Sequence, residues 1–159
     1  MGSANDWEKI KAVGAALDEF GVAWEARVMS AHRTPGVVHD YVTEAPKRGI
    51  QVIICAAGGA AHLAGVVASL TTLPVIGIPV PTPDLGGLDS LLSTVQMPGD
   101  VPVVSVAVGL GGPRNAGIFA VQILATADAE LGAKLGAFKK KIADKIVASD
   151  GQFQAQLRG

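Results

Sequence analysis

The chain has 159 residues and a formal net charge of -1, which is the size of one domain without a strong charge bias. Hydrophobic residues make up 49% of it, charged residues 17% and aromatic residues only 4%. Because there is no basic stripe and aromatic side chains are too few to stack bases, nucleic acid is excluded as an expected partner. The excess of small aliphatic residues favours a parallel sheet buried on both faces, or a large subunit interface.

Neither membrane insertion nor export is expected. The sequence contains no run of about 18 apolar residues and no signal peptide, so a cytoplasmic protein that does not contact a membrane is predicted. The single cysteine, Cys55, lies inside the apolar run VIICAA and cannot form an internal disulfide. We expect it to behave as a small buried hydrophobic residue in a reducing compartment.

Apolar spacing predicts helices and strands in alternation. Ile10, Val13, Leu17 and Phe20 recur at helical spacing, and Gly21 can end that helix. In chain order the patterns predict a helix over 6–20, a strand over 23–29, a helix over 36–49 whose last turn Pro46 disturbs, a strand over 51–57, a helix over 62–71, a strand over 74–80, a helix over 88–96, a strand over 101–109, and helices over 115–127 and 129–148.

Four strands that alternate with helices predict a doubly wound parallel α/β sheet with helices on both sides. We expect one domain over 1–148 and a loosely ordered tail over 149–159. The proline-rich stretch 79–87 is interpreted as a surface loop. The chain begins where a strand-to-helix turn would lie, so we expect a strand upstream of Met1.

Three polar or glycine-rich loops are predicted at the carboxyl edge of this sheet, where ligands of such folds bind. They are GSAND (2–6), SAHRT (30–34) and AAGGAAH (56–62). In the first loop, Ser3 or Asn5 can cap the helix that starts near Asp6, which would be a purely structural role. The alternative is that free amides at this helix start bind phosphate, with Asp6 accepting from ribose hydroxyls.

The second loop places a titratable side chain beside a permanent cation. The five donors of Arg33 match a phosphate, and Ser30 can donate to the same group. His32 carries an imidazole, the side chain best suited to move a proton near neutral pH. A lone histidine is more often structural, but the neighbouring arginine favours a functional interpretation.

The third loop can form a small, dry cavity. Gly58 and Gly59 let the backbone approach a ligand closely, and Ala60 adds little bulk; tight packing of helix on sheet is the equal alternative. His62 can cap the next helix, orient a ligand or do neither. His39 is predicted on a solvated face, and no His/Cys/Asp/Glu cluster has the spacing of a metal site.

Four motifs together resemble a known family. MGSANDW, SAHRTP, AGGAAHLAG and VQMPGDVPV are similar, in order and spacing, to the class I N5-carboxyaminoimidazole ribonucleotide mutases of purine biosynthesis, also called the catalytic subunit of phosphoribosylaminoimidazole carboxylase. The resemblance runs from Met1 to about Leu131. It implies a flavodoxin-like three-layer α/β/α sandwich and a homo-octamer. The apolar helix over 115–127 and the final helix independently favour packing against other subunits, without fixing their number.

The resemblance further implies isomerisation of a small nucleotide without metal or organic cofactor, and functional coupling to the ATP-dependent synthetase that makes the substrate. His32 would be the acid–base catalyst. Ser3, Ser30 and Arg33 would hold the 5′-phosphate and Asp6 the ribose, while 58–62 would wall the pocket around the migrating carboxylate. The implied binding set is Ser3, Asn5, Asp6, Ser30, Ala31, Arg33, Gly58, Gly59, Ala60 and His62.

The chain departs from the family pattern at three places. Asn5 stands where the family normally has serine, Ala64 where many members have proline, and a strand normally precedes MGS. Two alternatives stay open: a carboxylase that uses CO2 directly, whose members tend to read AHKGP where this chain has Arg33, and a non-catalytic flavodoxin-like nucleotide-binding module. Receiver domains and flavodoxins fit less well, because clustered acidic residues and an aromatic clamp are not evident.

Overall fold

The computed structural model describes residues 1–158, in which helices and parallel strands alternate. In chain order the elements are a 3₁₀ turn Ala4–Asp6, α1 Trp7–Ile10, α2 Ala12–Phe20, α3 Pro35–Glu44, a 3₁₀ turn Pro46–Arg48, β1 Ile53–Gly58, α4 Leu63–Ala68, β2 Val75–Val80, α5 Leu88–Val95, β3 Val104–Ser105, α6 Gly111–Ala125 and α7 Ala129–Arg158. No helix among these residues combines the length and the apolar character that crossing a bilayer requires.

The sheet is parallel, as predicted, with its three described strands in the order β1-β2-β3. β1 and β2 pair over six residues each, whereas β3 pairs with β2 through only two. All six residues of β2 are buried, so both of its faces are covered. The strand predicted over 101–109 is shortened to β3, and Pro102, which has no N–H to donate, lies two residues before it.

The prediction of a strand over 23–29 is wrong, because residues 22–30 form no strand. The Met29 N–H donates to the Met1 carbonyl and the Met1 amino group donates to the Arg27 carbonyl, both at 2.9 Å. Gly2 N–H donates to the Ala56 carbonyl of β1 at 3.1 Å. Met1 is thus hydrogen-bonded to Arg27 and Met29, and Gly2 is hydrogen-bonded to β1. These few contacts do not form a ladder of hydrogen bonds.

Gly21 ends its helix as the sequence predicts, whereas the helix predicted over 36–49 ends earlier than predicted, before Pro46. Gly21 follows α2 with a left-handed φ of 72°, and α3 stops at Glu44, just before Pro46. The helix predicted over 6–20 is divided at Lys11 into α1 and α2.

The last helix is longer than predicted. α7 continues without a break to Arg158, so the loosely ordered tail is wrong for 149–158, while Gly159 lies outside the described residues. The chain forms two compact units, Met1–Ile123 and a second that begins at Leu124. One domain over 1–148 stays a prediction.

The core beside β1 is tightly packed. Val38 of α3 and Val67 of α4 are buried in one cluster with Cys55, whose burial raises the pKa of its thiol to about 12, which confirms the predicted small buried hydrophobic residue. Helix α5 lies so close to β2 that a methyl group on Gly77 would be 2.3 Å from Thr94 Cγ2. This contact fixes how near α5 sits to the sheet.

Candidate functional site

The three predicted loops meet at an open cleft of about 430 Å³ at the carboxyl edge of the sheet. The cleft is lined by Gly2, Ser3, Asp6, Lys9, Ser30, Ala31, His32, Arg33, Ala57, Gly58, Ala60, Leu63, Val80, Pro81, Thr82 and Pro83. Its volume is in the range of small-molecule sites, and its position obeys the rule for open α/β sheets.

Residues 30–34 close their own loop. The Thr34 hydroxyl accepts from the Ser30 N–H at 2.9 Å and donates to the Ser30 carbonyl at 3.2 Å. Ser30 Oγ accepts from the Arg33 backbone N–H at 3.2 Å and from Arg33 Nε at 3.4 Å. Pro35 then begins α3 at a position where its missing N–H costs nothing. The loop that carries His32 therefore holds its shape through contacts three or four residues apart.

The cleft contains two cations and one carboxylate. Arg33 Nη2 donates to the Gly2 carbonyl at 3.0 Å, which leaves further guanidinium donors for an anion. Lys9 Nζ is anchored on the Pro81 carbonyl at 3.1 Å, and Asp6 supplies the carboxylate. The balance of charge attracts a phosphate, while the carboxylate can accept hydrogen bonds from hydroxyl groups.

His32 and His62 form a pair. Nε2 of His32 lies 2.9 Å from Nδ1 of His62, and the rings meet edge to face at 83°. One hydrogen lies between the two nitrogens, so one imidazole donates and the other accepts. His32 lines the cleft, so its imidazole is placed to exchange a proton with a group bound there.

The glycine loop combines close packing with a special backbone. A methyl group on Gly58 would lie 3.2 Å from Thr82 Cγ2, so little room exists for a side chain there. Gly59 has a φ of 68°, which glycine adopts most readily. The Ala61 N–H donates to the Gly59 carbonyl at 2.8 Å, and this tight turn delivers His62 to the start of α4.

Most of the predicted site residues line the cleft, namely Ser3, Asp6, Ser30, Ala31, His32, Arg33, Gly58 and Ala60. The others lie outside the lining. Asn5 is exposed, and its N–H donates to Ser3 Oγ at 3.2 Å, so Ser3 caps the first turn. Gly59 turns towards α5, and His62 makes no capping hydrogen bond but contacts His32. What each residue binds stays a prediction.

His39 is exposed beside Asp40 at 3.1 Å, which confirms its predicted solvated face. Across residues 1–158, no group of three or more His, Cys, Asp or Glu side chains is placed to hold a metal ion.

Two parts of the cleft were missed from sequence. Residues 81–83 line it, whereas the sequence predicts only a surface loop over 79–87; the place of these residues directly after β2 is the signal for a role at the cleft. Lys9 was missed as well. It lies three residues after Asp6, a spacing that puts both side chains on one face of a helix.

A parallel sheet packed with helices, with a ligand-sized cleft at the carboxyl edge of its strands, defines an α/β protein of the flavodoxin-like kind. The structure is similar to the crystal structure of Treponema denticola PurE, with a TM-score of 0.85 and 26% sequence identity. The match covers 96% of this chain and 94% of that chain. The predicted flavodoxin-like fold is thereby confirmed.

A family model described as AIR carboxylase matches residues 1–145. The N5-carboxyaminoimidazole ribonucleotide mutase of Mycobacterium leprae (strain TN) is 54% identical over 159 residues, covering 100% of this chain and 91% of the relative. The mutase of Saccharolobus solfataricus is 52% identical over 149 residues, covering 94% and 93%. The chain belongs to the AIR carboxylase family, which confirms the resemblance carried by the four motifs.

Proposed function

We propose that this protein converts N5-carboxyaminoimidazole ribonucleotide into 4-carboxy-5-aminoimidazole ribonucleotide, the reaction for which the two mutase relatives are named. The observation that carries the proposal is the imidazole of His32 in the cleft, 2.9 Å from His62 and next in sequence to Arg33. Acid–base chemistry and an anion-binding group thus occur side by side, as the isomerisation of a phosphorylated carbamate requires.

Different parts of the cleft are suited to different parts of the substrate. Ser3, Ser30 and Arg33 hold the 5′-phosphate, since two hydroxyls and a guanidinium converge there. Lys9 adds a second positive charge, and Asp6 accepts from the ribose hydroxyls. The Gly58–His62 loop encloses the migrating carboxyl group.

The chemistry needs one proton that leaves His32 and returns to it. His32 protonates the carbamate nitrogen, the C–N bond breaks, and CO2 and the free aminoimidazole result. Carbon 4 of the ring then attacks CO2, and His32 removes the proton from that carbon, which restores the aromatic ring. Such a shuttle supplies about 10²–10⁴-fold in rate, and holding CO2 beside carbon 4 adds a proximity effect.

The test is His32→Asn, with His39→Asn as the matched control because His39 is exposed and away from the cleft. Isomerisation by His32→Asn should fall by at least about a hundredfold, while His39→Asn should keep wild-type turnover. Full activity of folded His32→Asn would refute the proposal and favour a non-catalytic binding module.

A carboxylase that uses CO2 directly can be distinguished from a mutase by the substrate that it accepts. This chain has Arg33-Thr34-Pro35 rather than Lys-Gly-Pro after the histidine, and both relatives described above are named as mutases. Aminoimidazole ribonucleotide with bicarbonate should therefore be a poor substrate pair compared with the carbamate. Because that carbamate is labile, functional coupling to the ATP-dependent synthetase that makes it is part of the proposal.

A homo-octamer is also part of the proposal. Helix α5 exposes Leu88, Leu92 and Val95, and α7 exposes Ile146 and Val147, each between 46% and 72% accessible. Large apolar side chains exposed along a helix are typical of subunit interfaces. Light scattering should give eight times the 16.1 kDa mass of the chain, and a stable monomer would contradict the assembly.

A further inference from the structure

The loop after β1 is held from outside by two hydroxyl groups of α5. The Gly59 N–H donates to Ser90 Oγ at 2.8 Å, and the Ala61 N–H donates to Ser93 Oγ at 3.1 Å. Ser93 Oγ also lies 2.9 Å from the Gly59 carbonyl, which shares the single hydroxyl hydrogen of Ser93 with the Asp89 carbonyl of α5. These hydrogen bonds tie the loop to residues 31 to 34 positions away.

Ser90 also joins two walls of the cleft. Its hydroxyl donates to the Val80 carbonyl at 2.6 Å while it accepts from Gly59, so the end of β2 and the loop after β1 share one oxygen. Ser90 has no accessible surface, so water cannot readily replace its hydroxyl. Both peptide groups that it holds are therefore fixed relative to each other.

We propose that Ser90 and Ser93 are positioning residues for the isomerisation: they fix the backbone of Gly59–Ala61 and, through it, the imidazole of His62 against His32. This inference rests on the function proposed above. Neither serine lines the cleft, so both act through the loop rather than on the substrate. His62 has no capping hydrogen bond of its own, and the backbone of the loop thus determines where its ring lies.

A small displacement of this loop should matter more to catalysis than to folding. Ala60 forms part of the cleft wall and His62 follows two residues later, so both move when the turn moves. A shift of about 1 Å in a catalytic group can cost roughly a hundredfold in rate. The expected signature is therefore a fall in kcat with little change in the KM for the nucleotide, whose phosphate end binds elsewhere.

The experiment compares Ser90→Ala and Ser93→Ala with Thr94→Val. Thr94 lies on the same helix and is 2% accessible, but its hydroxyl donates to the Ser90 carbonyl within that helix at 2.7 Å. Valine keeps its shape and replaces the hydroxyl with a methyl group. Each serine variant should lose about 10- to 100-fold in kcat with KM within about threefold and an altered pH–rate profile. Thr94→Val should match wild type, and Ser93→Thr should recover most of the loss.

Two further measurements separate the possible failures. Amide exchange should accelerate at Gly59 in Ser90→Ala and at Ala61 in Ser93→Ala, but at neither in Thr94→Val, and the imidazole NMR signals of His62 should shift in both serine variants. If wild type does not isomerise the carbamate but these signals change, the proposed function fails while the positioning by serine stands. Wild-type kcat and pH profile in folded Ser93→Ala and Ser90→Ala, or an equal loss in Thr94→Val, would overturn the inference.

Discussion

The two loops that bring the histidines together are built differently. Residues 30–34 are closed by hydrogen bonds between Ser30, Arg33 and Thr34, none longer in sequence than four positions. Residues 59–61 are held by Ser90 and Ser93, more than thirty positions away. The first loop is closed mainly by its own residues, with one distant hydrogen bond from Arg33 to the Gly2 carbonyl, whereas the second depends on the packing of α5 on the sheet.

This difference shows that a short sequence motif can specify the geometry of the first loop, whereas the geometry of the second loop is specified only by the whole fold. A self-supporting loop keeps its geometry as long as its own residues are present. A loop held by another helix changes whenever that helix moves. The site therefore has one robust half, around His32, and one half that is sensitive to distant substitutions, around His62.

The largest effect is expected where the two halves meet. His62→Ala removes the partner of His32 and should lower kcat by roughly a hundredfold. His62→Asn should lose less, because its side-chain amide can occupy the position of Nδ1, which faces His32 at 2.9 Å. Steady-state isomerisation rates check this order; equal losses in the two variants would show that the contact through Nδ1 is unimportant.

A backbone change should expose the special geometry of the second loop. Gly59→Ala places a Cβ at a φ of 68° and should cost about 1–2 kcal/mol in the free energy of unfolding. Gly36→Ala is the control: Gly36 lies in α3, where a Cβ meets nothing within 4 Å, and alanine should stabilise by up to about 1 kcal/mol. Urea unfolding gives both values, and the same sign for both would contradict the prediction.

A hydroxyl deletion tests whether the first loop supports itself. Thr34→Val removes both hydrogen bonds to Ser30 and should cost about 1 kcal/mol in the free energy of unfolding. Thr43→Val, whose hydroxyl donates only to carbonyls of its own helix, should cost less. Thermal unfolding of both variants measures the difference, which should vanish if the loop is held from elsewhere.

The smallest effect is expected at the exposed segment that precedes the first loop. Hydrogen bonds from Arg48 and then from Tyr41 hold the pKa of Glu25 below its ordinary value of 4.5. Such a carboxylate stabilises the fold above pH 4.5, and its contribution disappears as the pH falls through the lowered pKa. Glu25→Gln should therefore lower Tm slightly at neutral pH and not at all in strong acid.

The same variant should leave kcat unchanged, because the partners of Glu25 are Tyr41 and Arg48, which lie outside residues 30–34. A change in kcat would show that the first loop depends on distant contacts after all.

The sequence predicts the alternation of helices and strands because the short runs around Cys55 and Ile78 are apolar and rich in β-branched residues, which favours buried strands. The strand predicted over 23–29 is wrong because a strand needs a neighbouring strand to pair with, and a local sequence pattern does not show whether one is present. The predicted tail fails for a different reason: from 149 onwards polar residues alternate with glycine, phenylalanine, alanine and leucine, a pattern without helical periodicity, and the helix continues through cooperativity with the preceding turns.

For the site, sequence identifies what is local. His32 and Arg33 are adjacent, and the rule that ligands bind at the carboxyl edge brings their loop to Gly58 and Asp6. The pairing of His32 with His62 could not be predicted, because the distance between two loop residues depends on the register of the strands. Ser90 and Ser93 were out of reach as well, since a serine in a helix has no sequence pattern that says which loop it meets.

The tight contact at Gly77 has a consequence for how substitutions in this family should be interpreted. An added methyl group there would need Thr94 to withdraw by about 1 Å to reach ordinary contact distance. Helix α5 would move away from the sheet and carry Ser90 and Ser93 with it. A substitution at Gly77, in the middle of the sheet, would therefore lower kcat as a substitution in the active site does. A mutational scan that measures only turnover would then assign a catalytic role to Gly77, although this residue acts only by letting α5 pack close to β2.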